Sequence, residues 1–592
     1  VRYFIPISLH ADRKEKTKME EPTQVQVNRQ LLVDAQQRGL APTLAAYTRL
    51  SGPGWLQSAI TLGGGSLSGA LFLGVLSGTR LIWLQLVAIV MGVVMLSAIS
   101  YVTLSTGQRP FRNISLHINP VLAWGWLIAT MLANLIWCMP QFSLCYAALS
   151  ENLIGPSLGQ GRNSQFIVSF LLLATGLYVV HLSRHPGRGL KLFDGLLKAL
   201  VGMIVLCFFG VVAILLSKGT IQTSDIVSGL IPDLSPMSRP TGVLADLVGQ
   251  LESSIGQYWS NLIVKEQRAV MIGAAATAVG INMTFLLPYS MLSRGWDKPF
   301  RGLAKFDLAT GMAIPYVIVT SCVVIASAAA FHGEKVDDAL ASQDPAVMLT
   351  SPIFSKVQKS LMARVTHEHG PDAVNGWSDQ QRLDAMAKLD VAEKQIALSL
   401  VPRDAFQLSR SLEPLLGRQM ANLIFGLGAF GMGYSTIIIL MLINSYALCE
   451  ALNVPQNSQP TFTVGCLMAG MAGAAWPVFW TGESKLWLAI LASSFGMMLL
   501  PIAYITFMMM MNSRSLLKED KPMGLSLWLW NLLMGLSVLG AIAAAATAIM
   551  DKSSDPTAGK VVLAVAAGYI VAVILGFVMR KPNAAANLAK SS

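Results

Sequence analysis

The chain has 592 residues, of which 53% are hydrophobic and 13% charged, against ~25% charged in an ordinary soluble domain. Its apolar residues fall in runs of about 18 or more, the length a helix rising ~1.5 Å per residue needs to cross ~30 Å of hydrocarbon, which excludes a soluble enzyme and predicts one polytopic, all-α membrane domain. The formal net charge of +11 does not point to nucleic acid, because the basic residues sit in short loops beside the apolar runs rather than in a stripe interleaved with aromatics.

In chain order, residues 1–50 are polar and read as a cytoplasmic N-terminal segment. The first long apolar run begins near Trp55, so no cleavable signal peptide is expected and span one acts as the insertion signal, whether translation starts at Val1 or Met19. Twelve spans are predicted near residues 54–79, 81–106, 120–149, 165–183, 192–217, 270–293, 308–331, 420–449, 462–480, 486–511, 526–549 and 561–579. An even count places both termini on one side. Loops on that side carry Arg109, Arg112, Arg184, Arg188, Lys191, Arg294, Lys298, Arg301, Lys305, Arg514, Lys518, Lys521, Arg580 and Lys581, whereas the opposite short loops offer Arg80, Arg162, Lys485, Lys552 and Lys560. The positive-inside rule makes both ends cytoplasmic, and the plasma (inner) membrane is the expected location.

The spans divide into a first repeat over 51–217, an external loop over 218–269, a second repeat over 270–511 with an external insertion at 332–417, and spans eleven and twelve with a short cytoplasmic tail over 512–592. The two insertions are expected to form a cap. Ser378 to Gln381 reads as a capping box opening a helical stretch through Leu383, Met386, Leu389, Ile396 and Leu400, with a helical hairpin as the expectation. The same insertion holds His367, Glu368 and His369, which would gather a metal only on an extended or looped backbone, since alternate residues diverge on a helix. All six cysteines lie within or at the ends of apolar runs and read as packing residues.

Two spans carry breakers at mid-depth. Span one contains Gly63, Gly64 and Gly65 in succession before Ser66, each glycine disfavouring helix by ~1 kcal/mol, so it should unwind there. Span six contains Val279, Gly280, Ile281 and Asn282, then Pro288. The breaks are offset by five spans, the spacing of two five-helix halves related as inverted repeats. Because lipid cannot satisfy freed backbone groups, paired breaks imply a cavity or ligand between them. Glycines serving only close helix packing are the alternative. Candidate substrate-binding residues are Thr61, Gly63, Gly64, Gly65, Ser66, Val279, Gly280, Asn282 and Ser493, within a wider polar set that includes Ser68, Asn134, Gln141, Thr284 and Ser494.

Several motifs are similar to the NRAMP family of proton-coupled divalent metal transporters, which have the leucine-transporter fold. They are Gly52, Pro53, Gly54 opening span one; Ser105, Thr106, Gly107 ending span two; the Asp307 to Gly333 stretch; and Leu412 to Asn453, where Gly431, Met432, Gly433, Tyr434, Ser435 and Thr436 resemble a Gly-Gln-Ser-Ser-Thr segment. Met523 and Gly524 before span eleven also fit. The resemblance covers most of residues 50–550 outside the two insertions. It implies twelve helices in a 5+5 inverted repeat, broken helices one and six, and proton-coupled symport of a metal ion.

The family's metal motif is absent. Its Asp-Pro-Gly-Asn falls on Gly63, Gly64, Gly65, Ser66; its Met-Pro-His-Asn on Val279, Gly280, Ile281, Asn282; its span-ten glutamine near Ser493; and its acidic proton path in span three has no counterpart between Ala133 and Gln141. A dehydrated dication needs anionic or strongly donating ligands, so an altered substrate is expected, a small neutral, zwitterionic or anionic solute that could use the positive ends of two half-helices.

Asp194 and Lys198 are four apart and could pair along one helix face, and Asp307 begins span seven near the cytoplasmic face; all three read as interfacial structure rather than coupling groups. Asn134 and Asn444 are candidates for interhelical hydrogen bonding, and Met508 to Met511 for packing. No GxxxxGK[ST] loop is present, so ATP-driven pumping is unsupported, and the apolar core lacks the convergent His, Asp, Glu or Cys residues an intramembrane enzyme needs. No cofactor, nucleic acid or obligate protein partner is expected. The partners are the lipid bilayer, a small solute or ion and, by resemblance, a coupling proton. A non-transporting membrane sensor or scaffold is the alternative function.

Overall fold

The computed structural model describes residues 24–159, 161–185, 187–401, 403, 405–456, 458–479, 487–553 and 558–579, and among these every regular element is helical. Ten helices are long and apolar enough to span a bilayer. A bent pair, Pro53–Thr61 and Gly64–Ser77 at 53°, makes eleven. The twelfth expected span, span six, is two helices, Ser253–Thr277 and Ile281–Ser293. The first carries Lys265, Glu266 and Arg268 and the second has only 13 residues, so neither alone meets the requirement for a continuous apolar rod. Spans two to five are Trp83–Thr106, Pro120–Leu153, Arg162–Leu182 and Arg188–Ser217; spans seven to nine are Lys298–Phe331, Arg418–Ala451 and Gln459–Phe479; spans ten to twelve are Ala492–Asn512, Gly524–Ser553 and Gly559–Val578.

Span eight is the central post. Every residue from Ser435 to Ala447 is buried, and Asn444 Nδ2 donates to the Gly465 carbonyl of span nine at 2.9 Å, the interhelical bond expected of it. Small residues set the approach of neighbours: a Cβ on Gly433 would lie 2.6 Å from Cys145 Sγ, and one on Gly473 2.8 Å from Cys138 Sγ. None of the six cysteines forms a disulfide. Met510 and Met511 are fully buried packing residues. The periphery is apolar, with Phe170, Leu206 and Phe209 on spans four and five and Val561, Val565 and Ile574 on span twelve each more than half exposed. Such a face suits hydrocarbon rather than water.

Residues from both insertions share a second hydrophobic core, in which Leu244, Leu247, Trp259 and Ile263 pack with Leu340, Phe354, Val357, Leu361, Met386 and Ile396. Part of the predicted loop over 218–269 is helical, since span six already begins at Ser253. The capping box at Ser378 and Gln381 is present and opens Asp379–Ala387, followed by Val391–Ser399. Inside this core Glu393 accepts from Trp259 Nε1 at 2.8 Å and from Arg364 Nε at 2.7 Å, tying one insertion to the other. His367 and His369 end the helix Phe354–His369. Their rings meet different partners, Tyr258 at 4.5 Å and Trp377 at 5.0 Å, and Glu368 pairs with Arg364. The helical backbone thus keeps the three from converging, which removes the geometry that metal capture required.

Before span one, Gln24–Arg38 and Leu40–Leu50 form a helical pair held against the start of span seven by Arg29–Asp297 at 3.3 Å and Tyr47 on Phe306 at 5.4 Å. An open cleft of about 880 Å³ between these two helices is lined by residues from Gln26 to Arg49, away from both breaks.

Candidate functional site

Span one breaks more narrowly than the glycine triplet suggests. Its first half-helix ends at Thr61, Leu62 and Gly63 are non-helical, and the second half-helix already includes Gly64, Gly65 and Ser66. The reason lies in how the freed backbone groups are met. The Ala59 carbonyl accepts from Ser435 Oγ at 2.7 Å and Thr436 Oγ1 at 3.2 Å, the Thr61 carbonyl from Ser66 Oγ at 2.5 Å, and Gly64 N–H donates to Gln141 Oε1 at 3.0 Å. Side chains from spans eight and three therefore cap both ends of a break inside the membrane, as buried helix termini require. This explains the Ser435–Thr436 pair and makes Ser66 a backbone cap.

Each glycine of the triplet is also a contact point. A Cβ on Gly63 would stand 2.8 Å from Thr436 Oγ1, one on Gly64 3.3 Å from Leu144 Cδ2, and one on Gly65 2.6 Å from Trp137 Cζ3 and 3.3 Å from Ser493 Oγ. Packing and break are thus the same feature, because the chain can turn here only where its neighbours approach the bare backbone.

Span six breaks over Ala278–Gly280, with Gly280 capping Ile281–Ser293. Asn282 Oδ1 accepts from Met283 N–H at 3.0 Å. Val279 turns away from the break into span two, where a Cβ on Gly92 would lie 2.9 Å from its own Cβ. Its side chain therefore packs into span two and leaves only its backbone at the break. The two broken spans are stitched together by Gln57 Nε2 donating to the Met283 carbonyl at 3.2 Å and Thr61 Oγ1 to Met283 Sδ at 3.4 Å. Ser68 Oγ donates to the Gly64 carbonyl at 2.6 Å, and Trp126 Nε1 donates to Thr284 Oγ1 at 2.9 Å, so these hydroxyls serve the helices themselves.

Beside the span-six break, against spans three and ten, lies a hollow of about 30 Å³ lined by Ala133, Trp137, Gly280, Ile281, Asn282, Ser493, Gly496, Met497 and Leu500. That is space for roughly one or two waters, so the hollow is closed down to water size. Gly280, Asn282 and Ser493 line it directly, Gly65 approaches Ser493 at its edge, and Thr61 and Ser66 are engaged with Met283 and the break. Carboxylates are absent from its lining, and no group of three His, Cys, Asp or Glu able to hold a metal occurs among the described residues.

Sequence reasoning missed Trp137, which lies in the span-three stretch noted only for its lack of acidic residues, and Met283, which lies one residue beyond the matched motif. It read Asp307 as interfacial structure without identifying its partners. Buried at the start of span seven, this carboxylate accepts from Ser51 Oγ, from Gly52 N–H at 3.2 Å and from Gly54 N–H at 2.7 Å. It thereby caps the N-terminus of the first half-helix, where a negative charge is favoured. Asp194 does not pair with Lys198. It takes a bidentate bond from Arg294 at 2.9 and 2.7 Å, while Lys198 Nζ donates to the Ser51 carbonyl at 3.1 Å. A planar guanidinium matches a carboxylate on two bonds where an ammonium offers one, which is why the helical spacing did not decide the partner. A π-helical turn, Ala309–Ala313, follows Asp307, and Gly311 there abuts Trp55 N at 3.0 Å from a notional Cβ.

No curated protein matches the sequence. Among solved structures, a histidine-to-alanine mutant of the Eremococcus coleocola manganese transporter is similar at 14% identity, covering 90% of this chain and 94% of that one with a TM-score of 0.50. The same manganese transporter in complex with an aromatic bis-isothiourea substituted compound is similar at 15% identity, 90% and 93% coverage and a TM-score of 0.49. At these identities the likeness concerns the fold. The family model Nramp, natural resistance-associated macrophage protein-like, matches residues 54–364 and 392–551. That match includes the first insertion and both ends of the second, which the motifs alone had left outside. Its extent, together with the membrane-spanning helices, shows that the chain belongs to the Nramp family and is an integral, multi-pass membrane protein of a transporter family.

Proposed function

We propose that the chain is a secondary transporter working by alternating access about its two broken spans, and that its substrate is a small neutral, zwitterionic or anionic solute rather than a bare dication. The observation that carries this reading is the hollow. The N-termini of Gly64–Ser77 and Ile281–Ser293 approach it, and its lining supplies hydroxyl, amide and indole groups but no carboxylate. Two half-helix N-termini favour a negative group, whereas a dication stripped of water in such a site would lack the anionic ligands that offset its desolvation. Manganese is the cargo named for the solved relatives, and the matched positions here lack the donors for it.

Uptake into proteoliposomes containing the purified full chain tests the reading, with Mn²⁺, Mg²⁺, amino acids and small organic acids each supplied with and without a pH gradient. Accumulation of an organic solute, stimulated by the gradient if a proton is coupled, is the expected result. Tight Mn²⁺ binding that is lost in Ser66→Ala and Asn282→Ala would overturn the substrate assignment. Failure of every solute would favour a sensor or scaffold.

A further inference from the structure

Span three presents one stripe toward the breaks, formed at helical spacing by Trp126, Thr130, Asn134, Trp137 and Gln141. Trp137 stands at its centre. The indole lies against two glycines on different spans: Gly65 of span one, whose notional Cβ would fall 2.6 Å from Cζ3, and Gly496 of span ten, whose notional Cβ would fall 3.1 Å from Nε1. Spans one and ten thus both omit a side chain where the ring sits, and the ring bounds the hollow beside the span-six break, which it helps reduce to about 30 Å³.

A second observation is independent of the ring. One turn to either side of Trp137, both amide atoms of Asn134 and the Nε2 of Gln141 are fully buried without partners among the described residues, and so is the Thr130 hydroxyl two turns before it. Buried polar atoms that make no hydrogen bond are rare in native proteins, and each calls for a water, an ion or a ligand. An apolar neighbour at Asn134 would satisfy packing at lower cost if the position were only structural. Here the unmet donors and acceptors flank the bulky group that closes the hollow.

We infer that Trp137 is the size-determining residue of the substrate site, a ring that fills the space between Gly65 and Gly496, and that Asn134 and Gln141 are the amides a solute meets when the ring swings out. The inference rests on the transporter reading and deepens it. The solute it specifies is a compact zwitterion or carboxylate, with its negative end toward the half-helix N-termini and its hydrogen-bonding groups toward span three. Replacing the indole enlarges the site by the volume of the ring while leaving both span-three amides in place.

The experiment uses the full chain in proteoliposomes with glycine, L-alanine and L-leucine, and compares wild type, Trp137→Phe and Trp137→Ala. Expected is a rise of at least tenfold in the leucine to glycine uptake ratio in Trp137→Ala, with Trp137→Phe between, and a loss of at least tenfold in glycine uptake in Asn134→Leu. An unchanged ratio with uptake intact would overturn the size role and leave the transporter reading standing, whereas no uptake of any solute by any variant would overturn both. A readout free of transport is the reaction of Ser493→Cys with a methanethiosulfonate reagent. Modification should be at least tenfold faster in the Trp137→Ala background than with the indole present, and equal rates would overturn the proposal. Trp137→Phe serves if the alanine variant fails to fold.

Discussion

Asp307→Ala removes the acceptor that fastens the first half-helix of span one to span seven. Three donors lose their partner: Ser51 Oγ, Gly52 N–H and Gly54 N–H. Hydrogen bonds to a charged group contribute ~1.5–3 kcal/mol each, and bonds sharing one acceptor are not additive. A total loss of about 3–5 kcal/mol follows, in line with removal of one partner from a buried charged network. The space offers no easy relaxation. A Cβ on Gly54 would lie 2.9 Å from the Asp307 Cγ, so this helix terminus is packed directly on the carboxylate. Asp307→Asn keeps the shape and an acceptor oxygen but loses the charge, and about half the loss is expected of it. Ser51→Ala deletes one donor and leaves the backbone pair, for ~1 kcal/mol. Equilibrium unfolding of the purified chain in mixed micelles, titrated with sodium dodecyl sulfate and followed by circular dichroism, ranks the three variants. Asp307→Ala within about 0.5 kcal/mol of wild type, the range of an inconsequential surface change, would refute the capping role.

Three further outcomes are expected. Gly63→Ala drives a methyl group to 2.8 Å from Thr436 Oγ1 and disturbs the cap on the Ala59 carbonyl, costing ~1–3 kcal/mol; in a Thr436→Ala background its added cost should fall, and strictly additive losses in the double-mutant cycle would exclude the contact. Glu393→Ala leaves Arg364 and Trp259 Nε1 without their shared acceptor in the second core, with ~3–5 kcal/mol lost, and limited proteolysis should show the two insertions opening together. His332, just beyond span seven, is hydrogen-bonded through Nδ1 to the Val75 carbonyl at 3.0 Å. Burial, reinforced by Arg80 and opposed by the Val75 bond, holds its pKa below the ordinary histidine value. The unfolded chain then binds more protons between the two values, so its stability contribution is complete above about pH 6.5 and is lost as pH falls toward the lower folded value. A pH series of unfolding midpoints should lose that slope in His332→Phe, and an unchanged slope would assign it to another group.

The membrane class, the positions of most spans and the existence of two breaks were all legible in the sequence, for one physical reason. Hydrocarbon must be crossed by about 18 or more apolar residues, and glycines weaken a helix wherever they stand. The absence of metal donors at the matched motif was legible too, because ligand chemistry belongs to residue types and not to their arrangement. What the three-dimensional packing decided is which neighbour meets each freed group. Ser435 and Thr436 cap the Ala59 carbonyl from a helix more than 370 positions away in sequence, Asp307 caps Gly52 and Gly54 across more than 250, and Arg294 rather than Lys198 takes Asp194. Val279 packs into span two although it sits in the break, and Trp137 became part of the site only because Gly65 and Gly496 leave space for its ring on two other spans. Periodicity along one helix reports what that helix can bury. The identity of the group buried against it depends on distant segments brought together by folding, and local spacing carries no record of that.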